Sequence, residues 1–288
     1  MTLANLLQPL VNGLMTGSIY ILSALGLTVI FSIMQVLNFA HGEIYMIGAI
    51  TVYFLCTLFH MNYLLAILIA MIVVGIIGIV LERFFFRPIS DEDMLLSVII
   101  ATALTYIFQT SAQIIFGTSP MSMSEFLPGT LDYAGFHISV SRLAAAGLSL
   151  FLLVVMYLFV YKTRSGKAMQ AMAQDRDAAA LQGVDIDKIR PMGFAIGCIL
   201  AGAAGGIMAP ILYVDATMGT PILNKSLSII MLGGIGSIPG AALGGIIIGV
   251  VEAYGQSFLG YTAATTIPFI IMILILLFKR TGLMGRQV

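Results

Sequence analysis

Nine apolar runs, separated by short polar or glycine-containing stretches, divide this chain of 288 residues. The runs cover residues 9–33, 43–59, 63–82, 95–117, 140–161, 192–213, 222–236, 240–257 and 263–278. A bilayer-spanning helix needs about 20 predominantly apolar residues, and most of the runs approach or exceed that length. The stretch 223–236 is short and broken by glycine, so it either crosses or enters and folds back as a half-helix. The pattern predicts an all-α, polytopic membrane helical bundle with eight or nine spanning helices. The stretch 223–236 is the candidate for a broken or re-entrant helix.

Composition supports a membrane protein, because 60% of the residues are hydrophobic, only 9% are charged and the mean hydropathy is +1.06. Soluble domains carry charge at roughly 25% of positions. Thirteen basic residues balance thirteen acidic ones, which leaves no basic face for a nucleic acid. These numbers exclude a secreted disulfide scaffold, a nucleic-acid binder and a cytosolic enzyme. Cys56 and Cys198 lie in apolar runs without His or Asp at ligand spacing, so we predict neither a disulfide nor a metal site.

The basic residues give the orientation of the chain in the membrane. Eleven of the thirteen fall in three places: Arg83 and Arg87; Lys162, Arg164, Lys167, Arg176, Lys188 and Arg190; and Lys279, Arg280 and Arg286. By the positive-inside rule all three places are cytoplasmic, which puts residues 118–138 on the opposite side. The first 40 residues contain no Lys or Arg, so the first apolar run is expected to remain as a membrane helix rather than to be a cleaved signal.

The cytoplasmic stretch 163–190 is the only long polar segment of the sequence. Ser165 is placed to cap one short helix, and Asp175 to cap a second that stops at Gly183. A plain connection needs only a handful of residues, whereas this segment has about thirty. It is therefore either a long connecting loop or, as its caps indicate, a rigid surface for a soluble partner.

A second polar cluster, Asn38 to Glu43, lies between two apolar runs and reads NFAHGE. Ionisable groups at membrane depth cost roughly 2.5 to 3.5 kcal/mol each on insertion scales, so they usually face a cavity or a partner. Asn38 could cap the next helix, with Glu43 in its first turn. The cluster is thus either a cap at the membrane face or part of a path through the membrane. His41 has no second His at helical spacing and is not predicted to bind a metal.

The third feature is the glycine-rich sequence GGIGSIPGAALGG, which starts at Gly233. A phosphate-binding loop would need Lys followed by Ser or Thr after its glycines and a soluble strand before them, and neither is present. A broken membrane helix whose backbone lines a cavity explains the pattern better. Lys225 and Glu252 flank it within apolar surroundings, and their pairing with each other or with Glu43 is left open. No catalytic constellation is present, so no enzyme activity is predicted.

Taken in order, these motifs resemble the permease subunits of bacterial ABC importers for branched-chain amino acids, and their relatives for urea, short amides and other small acids. The matching strings are NFAHGE from Asn38, ERxxxRP from Glu82, GKAMQAMAQDRDAAALQG from Gly166, Lys225 with the glycine-rich sequence from Gly233, and TGLMGR from Thr281. The resemblance covers nearly the whole chain. Residues 107–110, Pro210 and Asp215 depart from the family's usual pattern, which bears on the cargo more than on the class.

The resemblance implies one permease domain, residues 1–288, in the bacterial inner membrane. It also implies a second permease subunit, generally a different one, two cytoplasmic ATPases that bind the ATP, and an extracytoplasmic binding protein; this chain itself would bind no cofactor. The stretch 163–190 would be the ATPase-coupling segment, with site residues Gly166, Met169, Met172, Asp175, Ala179 and Gly183. The translocation path would include Asn38, His41, Glu43, Gly233, Gly236, Ser237 and Pro239. Alternatives are the same machinery with another small cargo, or a stand-alone secondary transporter or channel.

Overall fold

The computed structural model describes residues 3–35, 38–89, 94–133, 136–279 and 281–285. Helices dominate this part of the chain: α1 Leu3–Met34, α2 His41–Thr57, α3 Tyr63–Leu81, α4 Met94–Phe116, α5 Val140–Lys162, α6 Arg164–Gln174, α7 Arg176–Leu181, α8 Ile186–Met208, α9 Gly219–Gly233, α10 Ile238–Leu259 and α11 Tyr261–Phe278. A π-helical turn, Glu82–Phe86, continues α3, and an antiparallel hairpin is formed by β1 Thr130–Tyr133 and β2 Phe136–Ser139. The prediction of a nearly all-helical protein is confirmed, with the hairpin as an addition.

Seven of the described helices are long and apolar enough to cross a membrane: α1, α3 with its π-helical turn, α4, α5, α8, α10 and α11. The predicted count of eight or nine spanning helices is therefore not confirmed. The two remaining apolar runs form α2, with 17 residues, and α9, with 15. At 1.5 Å of rise per residue, α9 extends only about 22 Å, less than the roughly 30 Å of a hydrocarbon core.

Helices α2 and α9 are short because both begin in the middle of the bundle. The His41 ring at the start of α2 lies 3.0 Å from the carbonyl oxygen of Ser23, well inside the 32-residue helix α1. Gly42 and Gly219, in the first turns of the two helices, meet so closely that a Cβ on either would collide with the other's carbonyl oxygen. The two helices therefore start against each other and need to cross only part of the bilayer.

The two half-length helices run in opposite directions from this meeting point. Helix α2 runs parallel to α8, because Gly48 contacts Gly202 and Val52 contacts Gly206. Helix α9 lies beside α1 and ends where Gly233 packs against Gly240 of the antiparallel helix α10. With the basic segments inside, α2 leads to the extracytoplasmic side and α9 to the cytoplasmic side. The stretch 223–236, which sequence left undecided, thus belongs to a helix that starts within the bundle.

Glycine contacts bring the central helices together. Helices α1 and α8 cross at Gly26 and Gly197, and the carbonyl oxygen of each glycine contacts the other glycine. Gly205 of α8 packs on the carbonyl oxygen of Tyr45. Because lipid tails are as apolar as the side chains, helices associate in a bilayer through close contacts of this kind. By contrast, most side chains of α4, α5 and α11 are not buried, so these helices form the periphery of the described subunit.

Candidate translocation site and coupling surface

The segment predicted to be cytoplasmic begins with α6, whose N-terminus is capped by Thr163. Its hydroxyl oxygen accepts a hydrogen bond from the backbone N–H of Gly166 at 3.0 Å, whereas the sequence suggested Ser165 for this role. Gly166 lies against the carbonyl oxygens at the end of α5 and has no room for a side chain. Met169 and Met172, on the same face, are buried as well. The predicted coupling residues of α6 therefore form its inner face, which fixes the helix beneath α5.

Helix α7 is a single short segment with defined ends. Asp175 Oδ1 accepts from the backbone N–H of Ala178 at 2.9 Å, so Asp175 is the predicted cap. After α7 the N–H of Val184 donates to the carbonyl of Ala179, and Gly183 adopts φ +84° in the left-handed region where glycine is favoured. Ala179 is buried, whereas the side chain of Leu181 is 88% exposed. The segment is thus an ordered helical pair with an apolar side chain at its exposed surface.

Two charge contacts join the segment to the helices above it. Asp185 caps α8, and the hydrogen bond and charge of Lys188 lower the pKa of its carboxyl group. Arg87, after the π-helical turn of α3, donates to Asp187 at 2.5 Å. Deeper in, Arg190 of α8 lies 3.6 Å from the fully buried Glu82. The start of α8 is therefore tied to the end of α3 and its π-helical turn.

A polar cluster surrounds the meeting point of α2 and α9. Asn38 Oδ1 accepts from the N–H of Ala40, so Asn38 stabilises the turn before α2, while the N-cap position itself belongs to Ala40. The carboxylate of Glu43 accepts at Oε1 from the side-chain amide of Gln109 in α4, at 2.9 Å. The same amide nitrogen of Gln109 donates to the hydroxyl oxygen of Thr220 in α9, also at 2.9 Å. Gln109 thus bridges the first turns of both half-length helices.

Glu43 is 1% exposed, and its second oxygen, Oε2, has no hydrogen-bond partner among the described residues. None of the ion pairs in the described part of the chain involves it. Next to it, Gln109 is half-buried, and Thr220 and Asn224 are exposed. Polar groups at this depth avoid lipid and normally face a partner or a water-filled cavity. A partner or a water-filled cavity is therefore expected beside this cluster.

The glycine-rich residues that were also predicted for the path lie elsewhere. Gly233 ends α9, Gly236 and Ser237 lie in the turn after it, and Pro239 is in the first turn of α10, all at the opposite end of α9 from Glu43. The backbone N–H groups of Leu283 and Met284 donate to the carbonyls of Leu232 and Gly233 at the end of α9, and the hydroxyl of Ser237 caps α10. The structure therefore places Asn38, His41 and Glu43 together, but it does not bring the glycine-rich group to them.

Lys225 and Glu252, whose pairing the sequence left open, form a buried ion pair between α9 and α10. The ammonium of Lys225 donates to Glu252 Oε1 and to the hydroxyl of Tyr20 in α1, both at 2.7 Å. It also lies 4.6 Å from the centroid of the Tyr20 ring. Among the described residues, no group of three or more His, Cys, Asp or Glu side chains could hold a metal ion.

Sequence reasoning did not select Gln109 and Thr220 as site residues. Each is an isolated polar residue within or beside an apolar run, and the departure from the family pattern around residues 107–110 was the only signal that pointed to one of them. The contact that joins them is long-range, because Gln109 is 66 residues from Glu43 and 111 from Thr220. Only the packing of α4 against the two half-length helices reveals the cluster.

The described helices define a polytopic membrane protein, in which two half-length helices meet at the centre of the bundle and an ordered helical pair lies in the segment predicted to be cytoplasmic. The chain belongs to the family described as branched-chain amino acid transport system, permease component, whose sequence model matches residues 10–277. It is a multi-pass protein of the bacterial inner membrane.

Individual relatives share this assignment over nearly their full lengths. The chain is 33% identical to the high-affinity branched-chain amino acid transport system permease protein BraD of Pseudomonas aeruginosa, covering 97% of this chain and 96% of BraD. It is 29% identical to the permease protein LivH of the corresponding system of Escherichia coli, with the same coverage. A probable LivH of Methanocaldococcus jannaschii is 28% identical over 93% of this chain and 89% of that protein. No solved structure matches the chain significantly.

Proposed function

We propose that this chain is a permease subunit of a binding-protein-dependent ABC importer and that its cargo is a branched-chain amino acid. The proposal is supported by the family and by the similarity to BraD and LivH, which are permease proteins of branched-chain amino acid transport systems. In this proposal the chain forms half of the translocation path together with a second, different permease subunit. Two cytoplasmic ATPases bind and hydrolyse ATP, so the chain itself binds no cofactor and catalyses no reaction.

The observation that carries the proposal is the helical pair α6–α7. Its inner face, with Gly166, Met169 and Met172, is fixed beneath α5, and its outer face presents Leu181. An exposed apolar side chain on an ordered cytoplasmic surface suits insertion into a groove of a soluble partner. The charge contacts at the start of α8 would then transmit movement of the pair to α3 and α8. A self-sufficient carrier has no need of such a surface.

The extracytoplasmic side offers the surface for the binding protein. It contains the β1–β2 hairpin and the pairing of Met121 with Val214, which ties the segment before the hairpin to the chain after α8. Asp132 and His137 face each other across the hairpin at 2.5 Å, and both are exposed. A docked binding protein would therefore act on the chain segment that leads from α8 back into the bundle.

Gly183 provides the test of coupling. A side chain at φ +84° is strained by about 1–2 kcal/mol, and a Cβ would meet no atom within 4 Å, so Gly183→Trp is expected to fold and insert. Its bulk lies on the partner-facing surface, where it should separate ATP hydrolysis from uptake. We expect ATPase activity of the reconstituted complex to persist while leucine uptake in proteoliposomes is lost.

Two control variants make this result interpretable. Gly183→Asn tolerates the left-handed conformation without the bulk and should import normally. Gly117→Trp places the same ring at a glycine with φ +86° and open surroundings, at the extracytoplasmic end of α4, and should remain coupled. Wild-type uptake by an assembled Gly183→Trp complex would refute the coupling role. Uptake by the purified wild-type chain without ATPases would instead indicate a stand-alone transporter.

A further inference from the structure

The polar cluster at the meeting point of α2 and α9 contains an acidic group without a cation. Glu43 is almost fully buried, its Oε2 lacks a hydrogen-bond partner, and its Oε1 receives only the neutral amide of Gln109. Burying a carboxylate without a paired cation is costly, and the partial positive charge at the start of α2 offsets only part of that cost. A cation that reached this carboxylate would therefore be bound.

The position of the Gln109 amide shows where such a cation fits. Its Nε2 lies 2.9 Å from Glu43 Oε1 and 2.9 Å from the hydroxyl oxygen of Thr220. The amide NH2 group of Gln109, with two acceptors at this distance, occupies a place that also suits an ammonium group. An ammonium group has three donors and would form a stronger, charge-assisted hydrogen bond there. Since the hydroxyl of Thr220 accepts from Gln109, its own hydrogen stays available as a donor.

We infer that this cluster is a transient binding site for the α-ammonium group of the cargo amino acid, and that Gln109 holds the site in the absence of cargo. The inference rests on the proposed function, because it assumes an amino-acid cargo. On arrival the ammonium displaces the Gln109 amide and binds Glu43, while the cargo carboxylate accepts from the Thr220 hydroxyl beside the N-terminus of α9. Thr220 and Asn224, exposed on one face of α9, lead to the site.

Glu43 and Gln109 share one hydrogen bond, but this assignment gives them different roles in cargo binding. If the bond only held α4 in place, substituting either residue would have the same effect. If Glu43 binds cargo and Gln109 occupies its place, the two substitutions act in opposite directions. Glu43→Gln removes the charge and should weaken cargo binding about 10-fold to 100-fold, the range for loss of a hydrogen bond to a charged group. Gln109→Ala keeps the charge and should bind cargo as well as the wild type or more tightly.

The experiment uses the complete permease–ATPase complex in nanodiscs, without ATP and without the binding protein. The probe is photo-leucine, a diazirine analogue of leucine with free ammonium and carboxylate groups, and labelled peptides are quantified by mass spectrometry. Labelling is expected in the first turns of α2 and α9. Leucine and leucinamide should compete, whereas 4-methylpentanoate, which lacks the ammonium group, should not. The control variant is Gln113→Ala, one turn further along α4, which should label as the wild type does.

Several results would overturn the inference. The first two are equal labelling of Glu43→Gln and the wild type, and a loss of labelling in Gln109→Ala that parallels the loss in Glu43→Gln. The other two are effective competition by 4-methylpentanoate, and labelling that occurs in Na+ buffer but not in choline buffer. The same preparations report separately on the proposed function. If the wild-type complex, supplied with its binding protein and ATP, imports no leucine, the proposed function fails. If the wild type imports and only the Glu43→Gln result is contrary, the binding site alone is refuted.

Discussion

The buried ion pair between Lys225 and Glu252 gives the sharpest stability prediction. The side chains of the two residues are 15% and 4% exposed, and the ammonium has two oxygen partners at 2.7 Å. In the Lys225→Met variant, Glu252 would lose its cationic partner and keep only neutral neighbours, the amide of Gln256 at 3.3 Å and the hydroxyl of Tyr20. Breaking a buried pair on one side costs about 3–5 kcal/mol. We take about 3 kcal/mol as the expected loss, because the bilayer scale for one charge at a helix centre is also roughly 3 kcal/mol.

The coupling free energy between Lys225 and Glu252 is measured by a double-mutant cycle. The chain has no tryptophan, so unfolding in mixed micelles with increasing SDS is followed by circular dichroism. Lys225→Met and Glu252→Met should each lower the free energy of unfolding by about 3 kcal/mol, whereas the double variant should lose far less than the sum, because no unpaired charge remains. As control, the exposed pair Arg87 and Asp187 should show a coupling below about 1 kcal/mol. Additive losses at Lys225 and Glu252 would refute the reasoning.

Two further predictions concern packing and capping. Gly205→Val places a side chain against the backbone of Tyr45 and should prevent the α2–α8 contact from forming. The expected result is loss of the monodisperse peak in size-exclusion chromatography. The control variant Gly147→Val, whose Cβ meets no atom within 4 Å, should elute normally. Asp175→Ala removes the cap of α7 and should cost about 1 kcal/mol of local stability. The loss is measured as faster amide hydrogen exchange in α7 than in α6. The control variant Asp175→Asn keeps a capping oxygen and should retain protection. Unchanged exchange in the alanine variant would contradict the assigned cap.

Hydropathy predicted where the helices are, because the length and apolar content of a run follow directly from the bilayer's thickness. It could not predict that α2 and α9 begin at mid-depth, since a run of apolar residues carries no information about the depth of its first residue. The contact between Gly42 and Gly219 determines that depth, and it joins residues 177 positions apart. The predicted count of spanning helices was not confirmed for this reason.

The candidate site was predictable where a local rule applied. Asp175 and Gly183 follow capping chemistry that acts within a few residues, and both occupy the predicted positions in the structure. The same rule chose Ser165 instead of Thr163, because two hydroxyl residues stand close together and only the backbone turn distinguishes them. Gln109 was beyond any local rule, since its partners come from two other helices.

The backbone pairing of Leu283 and Met284 with the end of α9 has a consequence for biogenesis. During translation the residues at this end of α9 leave the ribosome about fifty residues before the segment 281–285 that completes their hydrogen bonds. Until then the carbonyls of Leu232 and Gly233 lack these partners, and α9, which is too short to span the bilayer by itself, must be retained by α1 and α10. The order of synthesis therefore means that this segment docks onto the end of α9 only after α10 and α11 have been made.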